Sequence, residues 1–329
     1  MVGYTKYKTR LAKALIAIGI AVLSGPLFLA GGASAQEKVR IALPTKTYYP
    51  TIVAETALRQ KFFAKQGLDA ELTVYKGGAE AFEALAANAA DITHGSPAIV
   101  AGGRAKGIDA MAVAGASRGY YGWHVLVPVD SPIKTLSELA GKKVGITSAG
   151  SASDIIARWA MNHGKVEFTR VPLGGGGLVP NLLSKNVDAI VVFSPLSYRV
   201  LLEKQGRSLL DVGAEMPVHM SGVWIAPGKL IKEKPQLVQK TMNALYEAVA
   251  FLNKNKEEAV KLIAEIDELT SEVAAAEFEG NISRLPATGE MTRDWLTIAL
   301  DLAKLVGMSG DVAVEQIFIN DFQPKKVGG

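Results

Sequence analysis

An α/β fold of two similar lobes is what this sequence predicts, and three observations predict it. Short β-branched runs alternate with helical periodicity over the first two thirds of the chain. Within that span one ordered set of glycines, an aspartate and a Ser-Pro step occurs twice. Beyond it the chain reads as almost wholly helical.

Taken in order, residues 39–43 read as a strand, 51–64 as a helix, 71–75 as a strand and 79–89 as a helix. Strands follow at 91–94, 110–114 and 123–127, each a short run bounded by Gly, Pro or Asp. Val144, Ile146 and Thr147 make 143–147 a strand, which meets a Gly and Ser cluster. Ile155, Ile156, Trp159 and Ala160 then recur at helical spacing. Strands at 166–171 and 189–193 enclose a helix at 178–184. Leu237, Val238, Met242, Leu245, Val249 and Leu252 give 235–252 one apolar stripe, and helices at 256–266, 271–278 and 292–305 complete a brace for the first lobe.

The repeat is specific in its order. Gly77-Gly78, a helix, Asp91, a strand, Ser96-Pro97, a helix, Lys106-Gly107 and a strand form the first unit. Gly176-Gly177, a helix, Asp188, a strand, Ser194-Pro195, a helix, Gln205-Gly206 and a strand form the second. In each, the proline suits the first turn of a helix. Two such units facing one another make a cleft beyond the carboxyl ends of their strands. The run 123–127 ends in Pro128 and the run 222–225 in Ala226-Pro227, and we read both as crossings between lobes. Lobe one is then 36–127 and 225–329, and lobe two is 128–224.

Residues 1–35 stand outside this fold. Lys6, Lys8, Arg10 and Lys13 form a basic head, an apolar run covers 14–30, and Ala33-Ser34-Ala35 is a small-residue cleavage signal before Gln36. This is a secretory signal peptide, expected to be cleaved after Ala35. It holds four of the 36 basic residues and none of the 32 acidic ones, so the mature chain is charge-balanced and gives no basis for nucleic-acid or membrane binding. Cysteine is absent, which excludes disulfides, thiolate metal sites, a cysteine nucleophile and a lipid-modified N-terminal cysteine. The four histidines lack ligand spacing, so no metal site is expected. No Gly-x-Gly-x-x-Gly fingerprint and no Gly-x-Ser-x-Gly elbow is present, so neither a cofactor nor a catalytic residue is expected.

The stretch 142–154 carries the strongest site signal. Its strand, turn and helix N-terminus offer free N–H groups and a partial positive charge to an anion. Ser148, Ser151 and Ser153 are the candidate ligand residues there, with capping as the competing role and Asp154 as a further cap. The loop 44–50 leads from a strand into a helix and supplies Lys46, Tyr48 and Tyr49. Gly78, Ser96, Gly174 and Ser194 stand at strand-to-helix turns of the two units. Tyr121, Trp123 and His124 open the first crossing, while His219 and Trp224 flank the return. These rings could wall the cleft or belong to the core, and strand alternation sends neighbours such as Trp123 and His124 to opposite faces.

Several blocks together resemble a known family. They are Gln66-Gly67-Leu68 through Gly77-Gly78, Asp91 to Ser96-Pro97, Asp130-Ser131-Pro132-Ile133-Lys134, Leu139-Ala140-Gly141-Lys142-Lys143-Val144-Gly145, Gly150-Ser151, Asp188-Ala189 and Asn253. The chain resembles the solute-binding proteins of nitrate, sulfonate and taurine ABC importers, in the branch related to thiamine-pyrimidine precursor proteins. The resemblance implies a type II periplasmic binding fold with two crossover strands at its hinge and a ligand between the lobes. It also implies contact of the 44–50 loop with ligand, and partnership with an inner-membrane ABC permease and its ATPase. The expected protein is a periplasmic monomer that binds a small organic anion, a sulfonate or an aromatic carboxylate ahead of nitrate. Alternative readings are a binding protein for a thiamine-precursor pyrimidine, a sensory module, and an enzyme like the pyrimidine synthases. Those synthases carry a cysteine-rich segment that this chain lacks.

Overall fold

The computed structural model describes residues 36–305, 307 and 311–325, and the expected signal peptide lies outside them. The chain opens with β1 (Glu37–Leu43), α1 (Tyr49–Arg59), α2 (Phe62–Lys65), β2 (Leu68–Val74), α3 (Gly78–Ala86), β3 (Ile92–Gly95), α4 (Pro97–Ala105) and β4 (Ala110–Arg118). Then come β5 (His124–Pro128), β6 (Lys143–Ile146), α5 (Ala152–Gly164), β7 (Thr169–Pro172), α6 (Leu178–Leu183), β8 (Ala189–Val192), α7 (Leu196–Leu202) and β9 (Gly206–Asp211). The last part is α8 (Val212–Glu215), β10 (Met220–Pro227), α9 (Gly228–Glu233), α10 (Pro235–Lys254), α11 (Lys256–Asp267), α12 (Ser271–Gly280) and α13 (Arg293–Leu305).

These strands form two five-stranded sheets of the same plan. The first has the order β2-β1-β3-β10-β4 and the second β7-β6-β8-β5-β9. In the first, β1 runs parallel to β2 and β3, and β10 enters antiparallel between β3 and β4. In the second, β6 runs parallel to β7 and β8, and β5 enters antiparallel between β8 and β9. The repeated aspartates do the same work in each. Asp91 accepts from the Arg40 N–H at 2.8 Å beside β1, and Asp188 accepts from the Lys143 N–H at 2.8 Å at the start of β6.

Two details differ from the sequence reading. The strand assigned to the end of lobe one, β5, pairs wholly within the second sheet, so the chain leaves the first sheet between Arg118 and His124. Gly119 and Gly122, at φ 68° and 72°, make that turn in a backbone region that suits glycine. The return likewise comes early: β10 is already in the first sheet from Met220, not from 225. The other difference is a break in the long N-terminal helix, where Lys61 at φ 59° separates α1 from α2. Every residue of the predicted α10 stripe is buried, and α10 packs on α1 and α2. Each buried aliphatic side chain there contributes roughly 1.5–3 kcal/mol relative to exposure.

Candidate functional site

Four helices begin at one cavity. The N-cap residues of α1, α4 and α5 are Tyr48, Ser96 and Ser151, and all three line it, as does Gly78, the first residue of α3. None of the four helices takes a side-chain capping bond at this end. The helix dipoles, and the leading N–H groups other than at Pro50 and Pro97, therefore meet the cavity without competition from a capping side chain. Three of these helices follow strands of the first sheet and α5 follows β6 of the second, so the cavity lies between the two sheets. Its cavity volume is about 30 Å³, or about 400 Å³ when all space between atoms and the open mouth are counted.

Hydroxyl groups line much of it. In the turn before α5, Ser151 Oγ donates to the Ser148 carbonyl at 2.7 Å and lies 2.8 Å from both Thr147 Oγ1 and Ser153 Oγ. The Thr147 N–H donates to Ser153 Oγ at 2.9 Å. Ser151 and Ser153 thus build the turn and face the cavity together. Thr45 Oγ1, Ser96 Oγ, His94 Nδ1 and, next to them, Ser148 Oγ are buried and have no hydrogen-bond partner. Each such atom costs about 1–3 kcal/mol until something pairs with it. One small polar ligand could satisfy several of them at once.

Side-chain charge is missing from this lining. Lys46 is exposed and pairs with Glu268 at 2.6 Å, which carries its ammonium away from the cavity. Arg158 and Arg170 both pair with the buried carboxylate of Asp154. Among the described residues His94 is the one titratable base on the wall, and burial pushes its imidazole down to about 3, so it is neutral at ordinary pH. The positive potential at the cavity therefore comes from peptide groups.

The remaining wall is aromatic. Tyr48, Trp123 and Phe193 pack on one another, with Tyr48–Trp123 centroids 5.7 Å apart, Tyr48–Phe193 4.8 Å and Trp123–Phe193 5.2 Å. Burial drives the Tyr48 phenol well above its usual range, so it stays protonated.

Of the residues singled out in the sequence, Tyr48, Gly78, Ser96, Trp123, Ser151 and Ser153 line the cavity, and Ser148 adjoins it. Tyr49 and Trp224 stand behind the wall, both packed on His94, at 5.1 and 5.5 Å. Gly174 donates its N–H to the Thr147 carbonyl at 2.9 Å and shapes the neighbouring turn. Tyr121 and His124 lie instead along a separate groove; His124 Nδ1 is 3.0 Å from Ser208 Oγ, and burial lowers its pKa against the opposing effect of Asp211. Ser194 accepts from Asn281 at 3.2 Å, and His219 donates to the Pro217 carbonyl at 2.7 Å. The sequence reading did not single out Thr45, His94, Thr147, Phe193 and Ser221. Thr147 and Phe193 each directly precede a serine that was named, so strand-end position was the signal available for them.

Comparison with known proteins decides the family. The profile described as NMT1/THI5 like matches residues 49–259, a stretch that begins at α1 and contains the start of all four cavity helices. The chain belongs to the NMT1/THI5 like family. A Bacillus subtilis (strain 168) protein named for binding aliphatic sulfonates is 25% identical over 267 residues, 78% of this chain and 80% of that one. A solved structure from Bordetella bronchiseptica RB50 superposes with a TM-score of 0.78 at 22% identity, covering 88% of this chain and 96% of the other. The alkanesulfonate-binding protein SsuA of Xanthomonas axonopodis pv. citri, solved with MOPS bound, gives a TM-score of 0.71 at 19% identity over 86% and 98% of the two chains. This NMT1/THI5 like chain thus has the periplasmic binding protein fold, two α/β lobes with a cavity between their sheets.

Proposed function

We propose that the protein is the exported solute-binding component of an ABC importer, and that it captures a compact organic anion, a sulfonate first, between its two lobes. The observation that carries this reading is the convergence of four helix N-termini without capping side chains and three unpartnered polar atoms, with Ser148 Oγ beside them, on one cavity whose described lining holds no side-chain cation. Such a lining solvates a monoanion through N–H and O–H donors. The aromatic rings favour a short apolar tail over a further ring, because they fill the wall by packing on each other. Ligand bound across the cleft would stabilise the closed arrangement, which a permease then recognises. The proposed setting is the periplasm, with the chain acting as a monomer.

A thermal-shift and calorimetric screen of the mature chain tests this, with short alkanesulfonates, benzoate, nitrate and a thiamine-precursor pyrimidine as ligands. Binding by a sulfonate together with compaction in small-angle scattering is expected. Failure of every anion, or preference for the neutral pyrimidine, would sink the anion reading. Thr45→Val gives a sharper check, since Thr45 Oγ1 is buried without a partner. Removing that hydroxyl should weaken sulfonate binding about ten-fold, by about 1–1.5 kcal/mol, while leaving the ligand-free melting temperature equal to or above wild type. A drop in both quantities would show that the hydroxyl serves the fold and not the ligand.

A further inference from the structure

His94 divides its two ring nitrogens between different surroundings. Nε2 lies 2.5 Å from Tyr49 Oη, while Nδ1 is buried and has no partner. Tyr49 Oη is 2.9 Å from Ser117 Oγ, and Ser117 Oγ is 2.8 Å from Ser221 Oγ. His94 and Ser221 both line the cavity, so this buried chain of four groups starts and ends there. The backbone of β10 closes over its middle. A side chain at Gly222 would collide with Tyr49 Oη, His94 Nε2 and Ser117 Oγ together.

The proton count of the chain is fixed. Neutral His94 carries one N–H, and Tyr49, Ser117 and Ser221 carry one O–H each. Three links use three of these protons, so one remains. Tyr49 Oη donates to Ser117 Oγ, so His94 Nε2–H donates to Tyr49 and His94 Nδ1 keeps its lone pair; with Ser117 donating to Ser221, the Ser221 hydroxyl is left to donate into the cavity. The cavity then meets one donor, at Ser221, and one acceptor, at His94 Nδ1. An anionic headgroup can use only the donor.

We propose that His94 and Ser221 are the two ends of a directional hydrogen-bond chain that reads one acceptor and one donor on the ligand. The protein then selects, among compact organic anions, those whose carbon chain also carries a hydrogen-bond donor. This rests on the anion reading of the cleft. A ligand without that donor leaves a buried lone pair unanswered, and sites built to pair a substrate hydroxyl discriminate strongly against analogues that lack it. The link through Tyr49 makes the two ends act as a unit, since both cannot donate at once.

Calorimetric titration of the mature chain with 2-hydroxyethanesulfonate, ethanesulfonate and the size-matched propane-1-sulfonate tests the proposal. Wild type is expected to bind the hydroxylated ligand at least ten-fold more tightly than either alkyl analogue. Tyr49→Phe cuts the chain at its centre and should reduce that ratio to about three-fold or less. Ser117→Ala, which breaks a different link, should do the same if the phenylalanine variant fails to fold. Equal affinity of wild type for the three ligands, or an undiminished ratio in whichever of these variants folds, overturns the chain while leaving the anion reading intact. Absence of binding by all three sulfonates removes both.

Discussion

Replacing Gly175 by valine is expected to hold the two sheets apart and to cost the protein most of its affinity. Gly175 lies in the turn between β7 and α6, and its N–H donates to the Lys76 carbonyl at 3.0 Å across the cleft. A Cβ at Gly175 would stand 2.6 Å from Thr45 Cγ2 and 2.9 Å from Thr45 Cβ. Thr45 has little room to yield, because its carbonyl is held by the Thr51 hydroxyl at 2.5 Å and its side chain is buried. The branched side chain must therefore be accommodated by separating the lobes. Overpacking of this kind costs about 1–3 kcal/mol. On the proposed closure over ligand, that strain falls on the closed arrangement alone, so it is expected as roughly a ten- to hundred-fold loss of affinity. Small-angle scattering with saturating sulfonate should show less compaction than wild type. Gly176 supplies the control, since a Cβ there meets nothing within 4 Å and Gly176→Ala should bind as wild type does. Wild-type affinity in Gly175→Val would mean that this turn does not close on the first lobe during binding.

The two-lobe plan was legible because it is written locally and twice. Asp91 and Asp188 each precede a strand and each accept a backbone N–H from the neighbouring one, so their place in the repeat reports a real equivalence. The serines before α5 were legible for the same reason: a strand, a turn and a helix start are contiguous in sequence. Lys46 was misplaced because its partner, Glu268, lies 222 residues further along the chain. His94 was missed because what makes it notable is its meeting with Tyr49, Ser117 and Ser221, which sheet pairing brings together from distant segments. The equivalence of the two Ser-Pro steps also had a limit. Ser96 lines the cavity, while Ser194 turns to Asn281 at the end of α12, which packs against α7.

Stability should fall as pH rises from about 5 to 8, and Asp267→Asn should remove much of that fall. Asp267 is the last residue of α11, where the helix dipole already disfavours negative charge, and both of its carboxylate oxygens are buried without a partner. Burial first, and then Glu277, push its pKa up to about 8; Glu268 and Glu55 act in the same direction and Lys46 opposes them. Glu277, fully buried on α12, is pushed by burial to about 7, although Ser194 and Asn281 beside it favour the charged form. In the unfolded chain both groups ionise near pH 4, so between that pH and about 8 the native state holds protons that the unfolded state has released. Native stability from this pair is therefore greatest at the acid end of the window and declines until both carboxyls are charged. Asparagine keeps the shape and cannot ionise. At pH 8 the substitution should stabilise by on the order of 2–3 kcal/mol, several degrees in melting temperature, and by much less at pH 5. Glu277→Gln should shift less, since Asn281 Nδ2 already donates to Oε1 at 2.8 Å and favours the charged form. Thermal melts of wild type and both variants at pH 5, 6.5 and 8 decide the matter. Parallel melting curves for wild type and Asp267→Asn across that range would mean that Asp267 is already ionised in the folded protein and that its burial costs little.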